Sequence, residues 1–146
     1  MKYVKKYLPI FIPIILGTIV SFIIKTDNYD IINKPVLSPP KIVFPIVWSI
    51  IYLIMGYSYY KTSKDTEETK IYYLQLIINL TWSIIFFNFK LYFLAIIWIM
   101  LLIYLVIKMI KLFYNDNKLS AYLNIPYLIW LIFAFYLTIM VYLLNK

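Results

Sequence analysis

Long apolar runs separated by short polar connections dominate the 146-residue chain. Such a run spans the hydrocarbon core of a bilayer once it reaches roughly 20 residues in an α-helix. The pattern therefore predicts an all-α membrane protein, with residues 1–146 forming one domain, a bundle of five transmembrane helices. The five predicted helices cover residues 7–24, 42–61, 71–88, 91–112 and 120–144.

The first connection, residues 26–41, is rich in proline and leads directly into the second apolar run. Proline fixes the backbone φ angle and lacks an amide donor, so this segment cannot form regular helix. A stiff loop of this kind loses little entropy when it becomes ordered. We expect it to form a lid over a ligand pocket, with the lid residues Lys34, Pro35, Pro39 and Pro40.

The second predicted helix carries an aromatic face. Pro45 falls in its first turn, where a missing N–H is best tolerated. Trp48, Tyr52 and Met55 follow at positions i, i+4 and i+7, so they share one side of the helix. A rigid loop followed by a helix with an aromatic face can supply the lid and one wall of a pocket.

Polar and aromatic positions also share faces on the third and fifth helices. Asn79 needs a partner inside a membrane, which either a neighbouring helix or a ligand in an apolar cavity can provide. Phe86 shares its face at i+7. On the fifth helix, the small residue Ala134 follows Trp130 by one turn, which leaves room for a flat ligand or for helix packing.

Prolines, a glycine and a short polar segment predict local features of the helices. Pro13 and Pro126 predict kinks in the first and fifth helices. Gly17 predicts a close approach by a neighbouring helix. The segment 88–90 predicts a tight turn, and the length of the first run, with no small-residue cleavage motif after it, argues against a signal peptide.

Composition supports a membrane protein. Hydrophobic residues make up 64% of the chain and charged residues 14%, with a mean hydropathy of +0.85. Soluble domains carry roughly 45–50% apolar and about 25% charged residues. A soluble fold of this length has too little interior to bury so much apolar surface.

The charge pattern predicts topology rather than nucleic-acid binding. The chain has 14 lysines, six acids and a net charge of +8. With five spans, nine lysines fall on the side of the N-terminus and five on the other (2, 5, 6, 61, 64, 70, 108, 111 and 118 against 25, 34, 41, 90 and 146). The positive-inside rule then places the N-terminus in the cytoplasm and the Pro-rich loop outside.

The residue inventory excludes several kinds of chemistry. Without Cys or His, the chain lacks disulfides and the usual soft metal ligands, so we expect no metal site and no cofactor. All acids fall in the polar connections, which argues against a proton-coupled carrier or a hydrolase with a carboxylate pair. A binding or transport protein is favoured over an enzyme.

The chain resembles the translocator protein family, also called tryptophan-rich sensory proteins or peripheral-type benzodiazepine receptors. The resemblance spans nearly the whole chain. It rests on Trp48, Tyr52 and these segments: KP at 34–35, PP at 39–40, VFP at 43–45, MG at 55–56, NLTWSIIFF at 79–87 and IPYLIWLIFAFYL at 125–137.

The resemblance implies a homodimeric five-helix protein of the bacterial cell membrane, in contact with membrane lipid. It also implies a pocket for a porphyrin such as protoporphyrin IX or haem, and for drug-like or sterol-like molecules. The positions that match the family's pocket are Tyr29, Trp48, Tyr52, Asn79, Phe86, Trp130 and Ala134.

Three functions follow from these expectations. The first is tetrapyrrole binding in a sensing or transport role. The second is light- and oxygen-dependent breakdown of porphyrin, for which Trp48 and Trp130 are the catalytic candidates that the resemblance implies. The third is transport of a small lipid or metabolite. Leu37 and Asn28 replace tryptophans usual in the family, and Thr138 replaces a frequent asparagine, which bears on ligand choice.

Overall fold

The computed structural model describes residues 2–25, 29–30 and 32–146, so the first residues of the predicted loop, Asn28 among them, lie outside the described part. The helices are α1 (Lys2–Ile23), α2 (Val43–Tyr60), α3 (Thr66–Ser83), α4 (Tyr92–Asp116), α5 (Lys118–Leu123) and α6 (Ile125–Asn145). A π-helical turn, Ile84–Asn88, continues α3.

Five helical segments of the described chain are long and apolar enough to cross a membrane. They correspond to α1, α2, α3 with its π-helical turn, α4, and α5 together with α6. The predicted fold class, an all-α membrane protein with five spanning segments, is therefore confirmed. The structure changes several of the predicted boundaries.

The third helix begins at Thr66 and not at residue 71, because a capping box sets its start. The backbone N–H of Glu68 donates to Asp65 Oδ1 over 2.8 Å, and the Asp65 N–H donates to Glu68 Oε1 over 3.1 Å. These two bonds satisfy backbone donors that a helix start otherwise leaves unpaired. The second half of the predicted polar connection is consequently helical.

The first and fourth helices also extend beyond their predicted ends. Lys2 begins α1, five residues before the predicted start, because lysines continue a helix readily in water or at the membrane surface. Asp116 ends α4, four residues after the predicted end, and the fully buried Phe113 keeps this extra turn packed on the bundle.

The fifth span is interrupted at Asn124 rather than kinked at Pro126. Asn117 caps α5 by accepting from the N–H groups of Leu119 and Ser120. Pro126 lies in the first turn of α6, where its missing N–H breaks no helical hydrogen bond. The proline therefore starts a helix here and does not bend one.

Helix α1 lies at the edge of the bundle and packs mainly against α2. Only 6% of the residues in its spanning segment are buried, against 50% for the span that contains α3. Gly17 lies against the ring of Tyr52, and Gly56 lies against the backbone of Ile10, so a Cβ at either glycine would clash. The two helices meet closely along this part of their length, as Gly17 predicts.

A candidate ligand pocket between the first two helices

A cavity lies between α1, α2 and the end of α3. It has a volume of about 380 Å³, within the usual range for small-molecule sites. Ile14, Gly17 and Tyr52 line the part farther from the Pro-rich loop, and Ile24 and Phe44 line the part nearer to it. The cavity follows residues 14–24 along the end of α1 and residues 44–52 of α2, which is two to three turns of each helix, roughly 12–15 Å.

Aromatic rings form one wall of this cavity. The indole of Trp48 is stacked on Tyr52, with ring centroids 5.5 Å apart and an angle of 26° between the planes. Phe44 and Phe87 line the same cavity and meet edge to face at 6.2 Å. Trp130 does not line the cavity but contacts two rings of this wall. The centre of its ring lies 6.3 Å from that of Trp48 and 6.1 Å from that of Phe44.

A chain of buried hydrogen bonds holds Tyr52 in place. The Tyr52 hydroxyl donates to Asn79 Oδ1 over 2.6 Å, and Asn79 Nδ2 donates to the Tyr127 hydroxyl over 2.7 Å. Tyr127 donates in turn to Gln75 Oε1 over 2.7 Å. Asn79 therefore joins α2, α3 and α6 through its amide, and it does not line the cavity.

The Pro-rich loop packs on the cavity through Tyr29, which is 2% exposed. Its ring meets Phe44 edge to face at 5.0 Å, and its hydroxyl donates to the Pro39 carbonyl over 2.8 Å. Burial, and to a smaller extent the charge of Asp30, raises the pKa of this phenol above its usual value. The hydroxyl therefore stays protonated and remains a donor at physiological pH.

Two further contacts fix the loop. The Lys34 ammonium donates to the Tyr29 carbonyl over 2.6 Å and lies 4.6 Å from the centre of the Tyr29 ring. Asn33 and Asn145 exchange hydrogen bonds of 2.9 and 2.7 Å, which tie the loop to the end of α6. Pro35 is buried within this arrangement.

The entrance carries charge, whereas the walls are mostly apolar. The Lys41 ammonium lies at the rim and forms an ion pair of 3.0 Å with Asp30, with both side chains well exposed. Thr18 and Ser21 line the cavity, but each hydroxyl donates to a carbonyl of its own helix. The arrangement suits a flat apolar molecule that carries a negative group at one edge.

The seven site residues predicted from the sequence fall into three groups: two line the cavity, four contact a residue that lines it, and Ala134 does neither. Trp48 and Tyr52 line the cavity, while Tyr29 and Trp130 contact residues that line it. Phe86 is buried beside Phe87, with ring centroids 4.9 Å apart. Asn79 accepts a hydrogen bond from Tyr52 but does not line the cavity, and Ala134 is buried in α6 without lining it.

Sequence reasoning missed several residues that line the cavity. Phe44 and Phe87 stood inside the VFP and NLTWSIIFF segments, and both were readable, since Phe44 lies one turn before Trp48 and Phe87 two turns after Asn79 on the predicted faces. Thr18 and Ser21 lie on α1, for which the sequence predicted a membrane-spanning helix and no part in the pocket. Gly17 and Ser21, four residues apart on one face, were the available signal.

Comparison with known proteins identifies the family. The profile of the TspO/MBR family matches residues 9–143. The chain is 32% identical over 125 residues to the tryptophan-rich protein TspO of Chlorobaculum tepidum, covering 80% of this chain and 78% of that protein. It is 32% identical over 122 residues to the tryptophan-rich protein TspO of Archaeoglobus fulgidus, covering 80% and 79%. Translocator protein 2 of Canis lupus familiaris is 35% identical over 112 residues, covering 70% and 65%. The chain belongs to the TspO/MBR family, whose members are helical membrane proteins.

Proposed function

We propose that the protein binds a porphyrin, such as protoporphyrin IX or haem, in the cavity between α1 and α2. The observation that carries this proposal is the stacked pair of Trp48 and Tyr52 along one wall of a cavity of about 380 Å³. The names of related proteins, sensory protein and translocator protein, fit a sensing or transport role for such a binding protein.

The chemistry of the cavity matches that of the ligand class. An extended conjugated ring can stack on Trp48 and meet Phe44 and Phe87 at its edge, each aromatic pair adding about 0.5–1.5 kcal/mol beyond area burial. The carboxylates of a porphyrin are exposed at one edge of the ring. At the rim they would compete with Asp30 for the ammonium of Lys41, so the charged edge stays in water.

A titration of the purified protein with protoporphyrin IX tests the proposal. Porphyrins absorb where tryptophan emits, so a bound ring quenches tryptophan fluorescence. We expect saturable quenching with one site per chain, and a weaker affinity when Trp48 is replaced by Leu. Quenching that stays linear up to high porphyrin concentration would show partition into detergent and contradict the proposal.

A second candidate function is light-dependent breakdown of the bound porphyrin. The observation that favours it is the direct edge contact of Trp48, inside the cavity, with Trp130 behind it. A pair of touching indoles offers two oxidisable rings beside a ligand that absorbs light. Here Trp48 and Trp130 would be catalytic residues, with molecular oxygen as the oxidant.

The variant Trp130→Phe separates breakdown from binding. Phenylalanine keeps an apolar ring but loses the easily oxidised indole, so binding should weaken by about tenfold at most. Breakdown in the light should stop if the second function is correct. Trp98→Phe is the control, because Trp98 Nε1 donates to Thr81 at the contact of α3 with α4, away from the cavity. Equal rates of porphyrin loss in both variants would rule out a role of Trp130 in breakdown.

We also propose that the protein lies in a bacterial cell membrane with its N-terminus in the cytoplasm. The lysine distribution supports this orientation, because the nine lysines counted above fall on the N-terminal side of the five spans. The homodimer implied by the resemblance stays a prediction.

A further inference from the structure

A second cavity lies at the opposite end of the α1–α2 pair from the Pro-rich loop. It is open, has a volume of about 610 Å³, and brings together four lysines from two parts of the chain. Lys5 and Lys6 come from the start of α1, and Lys61 and Lys64 follow the end of α2. We name these four residues, with the cavity between them, the lysine pocket.

Carboxylates do not neutralise the lysine pocket. Within the described residues none of its four lysines forms an ion pair. Asp116 and Asp65 adjoin the pocket residues Asn117 and Lys64 in sequence, but they accept from Ser63 and from the Glu68 N–H and, in the described part of the chain, form no ion pair with the four lysines. The pocket therefore concentrates positive charge that an external anion can satisfy.

Aromatic side chains place the lysine pocket at the depth of lipid headgroups. Tyr60 lines the pocket, and its ring lies 5.8 Å from Tyr7 and 6.4 Å from Tyr57. Tyrosine concentrates where a membrane meets water, with its ring among the headgroups. Lys5 and Lys6 fall within the first turns of the first spanning segment, and lysines there extend their ammonium groups toward the phosphate layer.

The surface next to the lysine pocket suits acyl chains. Ile46, Ile50, Leu53 and Tyr57 form an exposed stripe along α2, each between 39% and 55% exposed. The stripe leads to Lys61, which lies one turn after Tyr57 in the lysine pocket, and it runs along the spanning part of the helix. A molecule with a phosphate at one end and hydrocarbon at the other can contact both surfaces at once.

We infer that the lysine pocket binds the phosphate of an anionic phospholipid, with the acyl chains lying along α2. A lipid is favoured over a free phosphate because the pocket is open and continues into apolar surface. Lysine binds phosphate as a point charge, and a basic pocket between helices at the membrane surface is a typical headgroup site. This inference does not depend on the porphyrin proposal, which concerns the other end of the two helices.

Native mass spectrometry of the full chain in detergent, titrated with phosphatidylglycerol or phosphatidylcholine, tests the inference. In the double variant Lys6→Gln, Lys61→Gln, the affinity for the first phosphatidylglycerol should fall about thirtyfold, from about fivefold for each lysine. Affinity for phosphatidylcholine should hardly change. The charge-conserving double variant Lys6→Arg, Lys61→Arg should retain phosphatidylglycerol binding and shows that the site tolerates substitution.

The matched control removes two lysines from the other membrane face. Lys90 and Lys146 line a smaller basic cavity there, and the double variant Lys90→Gln, Lys146→Gln loses the same charge. We expect it to keep the affinity of the unaltered protein. An equal loss in both double variants would show a general charge effect and overturn the inference. Displacement of the lipid by equimolar inorganic phosphate would identify a soluble anion as the ligand and overturn it as well.

Discussion

Tyr52 and Tyr72 are both buried tyrosines of the bundle, but their hydroxyl groups have different surroundings. Tyr52 donates to Asn79 over 2.6 Å. The Tyr72 hydroxyl is buried without a hydrogen-bond partner in the described structure, while its ring stacks on Tyr59 at 4.0 Å. A buried hydroxyl stabilises the fold only where it is paired, so these two residues should respond differently to the same substitution.

We predict that Tyr52→Phe destabilises the protein and that Tyr72→Phe does not. The first change leaves Asn79 Oδ1 buried without a donor, at a cost of about 1–2 kcal/mol. The second removes a hydroxyl that is desolvated without compensation, so stability should stay the same or rise slightly. Thermal unfolding in one detergent measures both. A larger loss of stability for Tyr72→Phe than for Tyr52→Phe would show that the hydrogen-bond chain is wrongly assigned.

The sequence predicted that Asn79 needs a hydrogen-bond partner, but it did not predict which residues that partner would be. Asn79 stood out because an amide inside a membrane must be paired. Its partners Tyr52 and Tyr127 are 27 and 48 residues away along the chain, so only the packing of three helices brings them together. The sixteen tyrosines of the sequence gave no means of choosing between them.

At the scale of elements, hydrophobic pattern located the helices and local chemistry set their ends. The second helix could be placed within one residue because prolines precede it. The start of α3 was readable from Asp65 and Glu68 as a capping box, and that signal was missed. The π-helical turn at Ile84–Asn88 could not be predicted, because it depends on how Phe86 and Phe87 pack against other helices.

The Pro-rich loop gives the prediction at this scale. Replacing Pro39 and Pro40 with Gly should speed porphyrin dissociation by about tenfold, since each substitution adds chain entropy worth about 0.4–1 kcal/mol to the open state. Tyr29 can still donate to the carbonyl at position 39, so the contact itself survives. Association should change less, because the cavity walls remain.

Stopped-flow measurement of porphyrin release from the Pro39→Gly, Pro40→Gly protein checks this expectation. Dissociation at the rate of the unaltered protein would mean that the loop does not act as a lid. The cavity would then exchange its ligand through the membrane-facing side of α1 and α2.

For the whole molecule, the number of spans followed from length and hydropathy alone. The position of the cavity did not, because it depends on a peripheral helix. Helix α1 lies close to α2 at Gly17 and Gly56, and residues from Ile14 to Ile24 supply one side of the cavity. Sequence pattern therefore found the aromatic wall on α2 and missed the opposite wall on α1.

Orientation gives the topological prediction. Reporter fusions after Lys64 and after Asn117 should report the cytoplasm, and a fusion after Asn33 should report the outside, because lysine-rich connections remain on the cytoplasmic side. The reversed pattern would overturn the orientation while leaving the five spans intact.

The central claim is that porphyrin occupies the cavity between α1 and α2, and filling that cavity tests it most directly. Ser49 lines the cavity, whereas its neighbour Ile50 is 53% exposed on another side of α2 and does not line it. Protoporphyrin IX should be titrated into Ser49→Phe and Ile50→Phe, with tryptophan fluorescence as the readout. We predict that Ser49→Phe weakens binding by about tenfold or more and that Ile50→Phe leaves it within about a factor of two. Binding by Ser49→Phe as tight as that of the unaltered protein would contradict the account.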